Sequence, residues 1–324
     1  MIQVSNLSKY FDDFCAVDNI SFSVQPGEVL GFLGPNGAGK STTMKILTGF
    51  LSPSSGEVVV MDHDVLKNPL AAQCEIGYLP EGAPAYADMT SLDFLKFIGR
   101  IRGFTGQELQ NRIDSVVDKV ELHSVLNKRV ETLSKGYYRR LGIAQALIHD
   151  PKVLILDEPT DGLDPNQKHH VRELIRDLSA DKTVIVSTHI LEEVSAVCTR
   201  AMILAEGKIV FDGTPEELEA QSDFHNAVTI RLNESSDLLI KELEGLPRVL
   251  KVEVDQEGVI TVFPKEGQAI LSDVSPVLNQ AGCLLEELRV EVGRLDDVFR
   301  KVTTSSSAST PSSSSTESKQ EQLA

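Results

Sequence analysis

The segment Gly34-Pro35-Asn36-Gly37-Ala38-Gly39-Lys40-Ser41 constrains the fold more than any other, because it matches GxxxxGK[ST] in full. A buried strand is predicted just before it: Val29-Leu30-Gly31-Phe32-Leu33 is a short apolar run bounded by Pro26-Gly27 and by Gly34-Pro35. A helix over residues 40–50 is predicted just after it. Strand, glycine loop and helix together make an anion cradle. The glycines let backbone amides curl round a phosphate with no side chain in the way. The helix turns its unpaired amides and positive dipole end toward the same anion. Residues Gly34, Pro35, Asn36, Gly37, Ala38 and Gly39 therefore form the cradle, and Thr42 is grouped with them. Lys40 is expected to reach the β- and γ-phosphates of a nucleotide, and the Ser41 hydroxyl to coordinate Mg²⁺. The alternative is a glycine turn that binds nothing. From the average frequency of glycine, a chance match in a chain of this length is roughly one in a hundred, before the strand–loop–helix context is counted.

A second motif belongs to the same chemistry. Val153-Leu154-Ile155-Leu156-Asp157-Glu158 is an apolar run that ends in two acids. A parallel strand presents its C-terminal end to the ligand crevice. Asp157 is thus placed to hold Mg²⁺, directly or through water, and Glu158 to orient an attacking water and accept its proton. Paired acids at a strand end also serve as helix caps. The phosphate loop upstream favours the catalytic reading.

The rest of residues 1–80 reads as strands and turns. Helical periodicity takes over in 90–149, where Phe94, Phe97, Ile98 and Ile101 share one face and Ile113, Val116, Val117 and Val120 share another. Thr90 followed by Asp93 resembles a capping box with the shorter acid. Residues 150–213 return to strand–helix alternation: Val171, Leu174, Ile175 and Leu178 line a helix, and Val184-Ile185-Val186 is a strand. The pattern predicts an α/β core, a mostly parallel sheet covered by helices, with a helical stretch inserted into it. A second unit begins near 225. Its predicted order is strand (227–232), helix (238–246), strand (249–254), strand (259–263), helix (268–281), strand (284–292) and a closing helix near 295–302. That βαββαβ order is ferredoxin-like. From Thr303 the chain is Ser/Thr-rich, and 303–324 is expected to be a disordered tail. No internal repeat is present.

The length of 324 residues fits two modest domains and a tail. The formal net charge of −17 argues against a partner gripped as nucleic acid. Cys15, Cys74, Cys198 and Cys283 are far apart with no CxxC pair, so neither a zinc site nor a disulfide framework is expected, and they read as reduced thiols of a cytosolic protein. The N-terminus lacks the pattern of a signal peptide. No apolar run approaches the roughly 20 residues that cross a bilayer. Any transport role is therefore expected to depend on another chain.

Between the two phosphate motifs lies Leu133-Ser134-Lys135-Gly136-Tyr137, which resembles the signature loop of ABC ATPases, commonly LSGGQ. Asp161-Gly162-Leu163-Asp164 looks like the D-loop of that family, and Ser187-Thr188-His189 like its switch histidine. Ile76-Gly77-Tyr78-Leu79-Pro80-Glu81 sits where the Q-loop would lie. Phe11, with Tyr10 beside it, occupies the aromatic position that stacks on adenine, although a lone Phe is also an ordinary core residue. The resemblance spans residues 1 to about 220 and implies a P-loop NTPase core of ABC ATPase type, with a helical subdomain over about 82–149 and an accessory α+β domain over 225–302. It implies two copies facing head to tail around two ATP molecules. Lys40, Ser41, Asp157, Glu158 and His189 would come from one copy, and Ser134 and Gly136 from the other. Asp164 would join the nucleotide contacts, and His189 would bond the γ-phosphate and the attacking water.

Three departures stand out. Lys135 replaces a usual Gly, Tyr137 the usual Gln of the signature, and Glu81 the Gln of the Q-loop. Lys135 either adds a charge near the phosphates or points to solvent, and Glu81 is expected to bind Mg²⁺, as an acid even directly. These substitutions resemble those of ATPase subunits of ABC-2-type exporters, as does Leu295-Asp296-Asp297-Val298-Phe299 near the C-terminus. The resemblance implies an ATPase that powers a separate integral membrane permease, leaning to export, and that sits on the inner face of the cell membrane through it. For the C-terminal unit three readings stay open: a structural appendage, a dimerisation element, or a permease contact. A DNA-repair or ribosome-acting ABC ATPase is the competing class. It would carry long coiled coils or two ATPase units, and the phosphate loop occurs here once. An inactive scaffold is opposed by Lys40, Asp157, Glu158 and His189.

Overall fold

The computed structural model describes residues 1–82, 85–232, 237–281 and 284–307. The chain opens with a hairpin, β1 (Ile2–Phe11) and β2 (Phe14–Val24), followed by β3 (Val29–Leu33) and α1 (Lys40–Leu47). After α1 come β4 (Ser55–Val60), β5 (His63–Asp64), α2 (Pro69–Glu75) and β6 (Ile76–Leu79). The helical stretch holds α3 (Ser91–Ile101), α4 (Gly106–Lys119) and α5 (Lys135–Leu147). The α/β core resumes with β7 (Val153–Asp157), α6 (Pro165–Ser179), β8 (Thr183–Thr188), α7 (Leu191–Val197), β9 (Arg200–Ala205), β10 (Lys208–Gly213) and α8 (Pro215–Glu219). Last come β11 (Val228–Leu232), α9 (Asp237–Glu244), β12 (Val249–Val254), β13 (Ile260–Pro264), α10 (Leu271–Ala281), β14 (Leu285–Val290) and α11 (Leu295–Ser307).

Three sheets result. The central one has the order β10-β9-β3-β8-β7-β6, parallel from β9 to β6. Its strands β3, β7 and β8 are buried along their whole length, as a sheet covered on both faces requires. An antiparallel sheet, β2-β1-β4-β5, packs one face against it through Ile2, Val4, Ile20, Phe22, Leu30 and Phe32. On the other face lies the helical stretch, whose Phe94, Leu95, Ile113, Val117 and Leu141 share a core with Leu154 and Leu156 of β7. The third sheet, β12-β13-β11-β14, is antiparallel and carries α9 and α10 on one face, the strand order expected of a ferredoxin-like unit.

Several local expectations change. α2 is a helix inside a segment read as strands and turns; Asn68 and Pro69 open it, and Pro at the first turn is a helix-starting signal. α1 stops at Leu47 rather than 50, because Gly49 turns left-handed (φ 69°) and the Phe50 amide donates back to the Lys45 carbonyl at 2.8 Å, a glycine helix stop. Ile101 does not share the buried face of Phe94: it is 65 % exposed, at the last residue of α3, beyond the packed turns. The Thr90–Asp93 cap is present, but the acid accepts from the Thr90 hydroxyl at 2.7 Å instead of from its amide. α11 continues to Ser307, five residues into the expected tail; residues 308–324 lie outside the described residues, as does Cys283.

α11 returns from the third sheet to the central one. Val298 is fully buried in a cluster with Leu33, Leu191, Ile203 and Leu218, and Leu295 and Phe299 pack beside it. Gly293 permits this return. Its φ is 136°, and a Cβ there would stand 2.4 Å from the Glu219 carbonyl oxygen.

Candidate active site

Strand register assembles the site. β8 lies between β3 and β7, with Leu33 beside Thr188 and Asp157 beside Ser187. The loop after β3, the acids ending β7 and His189 after β8 therefore emerge on one edge, the carboxyl edge where ligands of parallel sheets bind. β6 flanks β7 with Leu79 beside Leu156, which brings the exposed Glu81 to the same edge.

The glycine loop is shaped by need. Gly34, Gly37 and Gly39 all have positive φ. A Cβ on Gly39 would stand 2.4 Å from the Ala16 carbonyl oxygen, so the loop and the start of β2 approach to a distance only glycine permits. Pro35, Asn36 and Gly37 are exposed, whereas Ala38 and Gly39 are buried. Lys40 is 7 % exposed, and its Nζ donates to the carbonyls of Gly34 at 2.7 Å and Pro35 at 3.3 Å. Burial pulls its ammonium below the ordinary lysine value, and the charges of Glu158, Asp157 and Glu81 push it back. Ser41 and Thr42 follow in the first turn of α1, both half-buried.

Asp157 is 2 % exposed and accepts a short hydrogen bond from the Ser187 hydroxyl. Glu158 takes the left-handed conformation, φ 50°, which is uncommon for any residue but glycine. Its amide donates to the Ser187 carbonyl and hydroxyl oxygens, both at 3.1 Å. Its carboxylate meets His189 Nδ1 at 2.9 Å. Burial raises the Glu158 carboxyl above its ordinary value, opposed by the bond to His189. The pair is a carboxylate and an imidazole held in contact at the mouth of a phosphate cradle, an arrangement able to move a proton.

Phe11 is 44 % exposed, which excludes the core reading for it. It pairs with Phe14 across the β1–β2 turn, and Lys9 Nζ lies 5.0 Å from its ring centre. The contact between Ala16 and Gly39 holds this aromatic hairpin next to the phosphate loop.

Ser134, Gly136 and Asp164 form a second cluster at the N-termini of α5 and α6. Ser134 caps α5 by accepting from the Tyr137 amide, and Asp164 caps α6 by accepting from the Gln167 amide at 3.0 Å. Gly136 is buried under Gln167, whose side chain would meet a Cβ there at 2.5 Å. Lys135 lies along Gly162: a Cβ on Gly162 would meet Lys135 Nζ at 3.3 Å. Tyr137 turns into the helical stretch, where its hydroxyl accepts from Ser124 at 3.2 Å. Among the described residues no hydrogen bond joins this cluster to the phosphate loop.

Two contributors escaped the sequence reading. Ser187 was read only as part of the Ser-Thr-His run, yet it ties Asp157 to Glu158. Glu193, 4 % exposed, accepts from Thr188 at 2.9 Å and, at short range, from Thr160. It also meets Lys168 Nζ at 3.4 Å. It braces the segments that carry Glu158 and His189, and its partners lie too far away in sequence to have announced it.

The donor set suits a hard cation. Ser41, Asp157 and Glu81 offer only oxygen, and among the described residues no three His, Cys, Asp or Glu side chains form a metal cage. Magnesium is usually held so, by one or two protein oxygens together with substrate phosphates.

Comparison with known proteins agrees with this geometry. The ABC transporter family description matches residues 17–161. The chain is 34 % identical over 302 residues to an uncharacterized ABC transporter ATP-binding protein, YxlF, of Bacillus subtilis, covering 93 % of this chain and 99 % of that one. It is 30 % identical to the linearmycin resistance ATP-binding protein LnrL of the same organism, covering 94 % and 98 %. Among solved structures, CbiO1 of Clostridium perfringens, part of the ABC transporter complex CbiONQ, superposes with a TM-score of 0.62 at 27 % identity, over 76 % of this chain and 96 % of that one. The chain thus belongs to the ABC transporter family, as an ATP-binding and ATP-hydrolysing subunit.

Proposed function

We propose that this subunit drives export through a separate integral membrane permease, and that two copies close head to tail on two ATP molecules. The observation that carries the catalytic reading is the Glu158–His189 contact of 2.9 Å beside the buried Lys40 and Asp157. The linearmycin resistance relative, similar along nearly its whole length, supports the lean to export.

In this reading Phe11 stacks on the adenine, and the backbone from Gly34 to Gly39 with Thr42 cradles the phosphates. Lys40 leaves its loop carbonyls for the β- and γ-phosphates. Glu158 takes the proton of the attacking water, and His189, oriented by Glu158, bonds the γ-phosphate. Ser41 and Asp157, with Glu81 beside them, would hold Mg²⁺, which offsets phosphate charge when bound. Ser134 and Gly136 meet the nucleotide of the other copy, and Asp164 positions α6 next to them. The cap on α5 leaves the Ser134 hydroxyl exposed and pointed by the helix end, as such a contact requires.

An exposed apolar area supports docking on a membrane partner. Phe50 is 80 % exposed, Leu70 78 % and Ile101 65 %. Leu70 lies on α2; Gln73 ties that helix to Thr48, two residues from Phe50, and Arg102, next to Ile101, ties it to α3. Among the described residues no helix is long and apolar enough to cross a membrane. A location at the cytoplasmic face of the membrane, held by the permease, follows from that docking.

Glu158→Gln tests the reading. It keeps the size but removes the base, so hydrolysis falls by about 10²–10⁴-fold while ATP still binds. A ligand that binds only the dimer shifts the equilibrium by mass action. Light scattering should therefore show an ATP-dependent dimer of the variant. A variant that hydrolyses ATP at the wild-type rate, or stays monomeric with ATP bound, would overturn the assignment.

A further inference from the structure

β14 is the end strand of the third sheet, and every one of its residues is exposed. Such a strand leaves a row of unpaired backbone groups open to another chain. Short length, proline or a covering helix normally blunts such an edge. β14 has six residues, no proline, and no cover from α9 or α10, whose cluster stops at β11, β12 and β13. Its bulge against β11 is confined to the Leu285 end, and its charges, Glu286, Glu287 and Arg289, are of both signs and can pair with a copy.

The chemistry of the edge is specific. Glu291 exchanges backbone hydrogen bonds toward β11, donating to Ala227 and accepting from Asn226. Alternation along the strand then turns the amides and carbonyls of Leu288 and Val290 to the open side, as far as the register shift against β11 between Glu287 and Leu285. Leu288 and Val290 stand opposite Ile230 and Val228, so their side chains lie on the apolar face of the sheet, yet they remain 39 % and 40 % exposed. Leu285 is 42 % exposed. Glu287 and Arg289 stand on the opposite face, across from Arg231 and Thr229.

We propose that β14 is a pairing edge for a second copy of this chain. Two identical strands related by a two-fold axis pair antiparallel, and only residues that both turn outward can exchange hydrogen bonds. The outward residues Leu288 and Val290 allow two central registers. One centres on Arg289, pairs Leu288 with Val290, and sets that guanidinium against its own copy. The other centres on Leu288, sets Leu288 against Leu288, and places Glu287 opposite Arg289 of the other strand twice. Charge and apolar burial select the second register. The pairing joins the two sheets into one of eight strands and covers Leu288 with its own copy. α11 and the Gly293 turn fix the third sheet to the central sheet. The contact therefore tethers two ATPase cores independently of nucleotide, which the head-to-tail closure on ATP does not do.

The test measures mass by light scattering of the full chain without nucleotide, from about one to a few hundred micromolar. The wild type should dimerise with concentration. Leu288→Pro removes one outward amide and none that faces β11, so it should raise the dimer dissociation constant at least about tenfold and leave circular dichroism unchanged. Glu287→Arg should weaken the dimer likewise. Arg289 also pairs with Glu291 of its own chain at 2.6 Å, so Arg289 is left intact and Glu287→Gln serves as the neutral control: it should weaken the dimer less than Glu287→Arg, which sets like charges opposite each other. A wild-type chain that stays monomeric throughout, or a Glu287→Arg variant that dimerises as tightly as Glu287→Gln, would overturn the proposal. ATP-dependent dimerisation is read in Glu158→Gln that also carries Leu288→Pro, where the β14 contact is removed, so neither result decides the other.

Discussion

The two clusters that bear on ATP are built by opposite means. At the carboxyl edge of the central sheet, charged groups are buried and locked together: Lys40, Asp157 and Glu193 are almost inaccessible, and Glu158 sits in a strained conformation. At the N-termini of α5 and α6, Ser134 is exposed and the backbone is ordinary, held by two helix caps and the Gln167 side chain. The first cluster is preorganised inside one chain, as a group that stabilises developing charge must be. The second is a smooth, capped pair of helix ends, suited to meeting an anion carried on another molecule. On the proposed head-to-tail arrangement, the difference teaches that the chain would hold one half of its own site and one half of its partner's.

That contrast is broken or sharpened first by mixing. Lys40→Ala and Ser134→Ala should each lower hydrolysis at least about 100-fold on their own. Mixed in equal amounts, they form head-to-tail pairs with one intact site, and activity should recover to about a quarter of wild type if each site works alone. No recovery in the mixture would mean either that both clusters serve one nucleotide within one chain or that neither shared site turns over without the other, and ATP-dependent dimerisation of Glu158→Gln separates the two.

The next largest effect concerns pH. Burial raises the folded Glu158 carboxyl above the ordinary glutamate value of 4.5, and a base works only when deprotonated. Hydrolysis should therefore fall, about tenfold per pH unit, on an acid limb whose midpoint lies above 4.5. The sign for stability is opposite: a carboxyl raised in the folded state favours folding at low pH, and that contribution fades as pH rises past the folded value. A pH–rate profile with its acid limb at or below 4.5 would remove Glu158 as the base.

Gly39→Ala probes the preorganised cluster from the backbone side. The added Cβ meets the Ala16 carbonyl at 2.4 Å at φ 104°, and neither can give way cheaply. Unfolding by denaturant should show a loss of about 1–3 kcal/mol, with nucleotide binding weakened as well. The smallest effect is expected in the second cluster. Lys135→Met keeps the stem that lies on Gly162 and removes only the charge, so stability should change by less than about 0.5 kcal/mol. Hydrolysis that drops with it would mean that the ammonium, not the stem, is what the signature loop needs.

The phosphate loop and the β7 acids were legible because their chemistry is local: the residues that bind stand next to the residues that shape the turn. The C-terminal strand order was legible because each strand is short and punctuated, as at Asp255–Gly258. What bracing each site needs was not legible. Glu192 and Glu193 are the same residue type side by side, and only the second is buried, because Thr160, Lys168 and Arg172 arrive from elsewhere to meet it. The role of Lys135 was undecided for the same reason, since Gly162 lies on another loop. Ile101 failed the helical pattern because periodicity says which residues share a face and not where the face stops being covered.

The left-handed backbone at Glu158 has a consequence for how such a protein can change over time. Glycine or asparagine would fit that conformation with less strain, and neither would supply a base. A population selected only for resistance to heat should therefore drift toward those residues at position 158 and lose its turnover while gaining stability. Only continued demand for work at the membrane keeps the uncomfortable residue there.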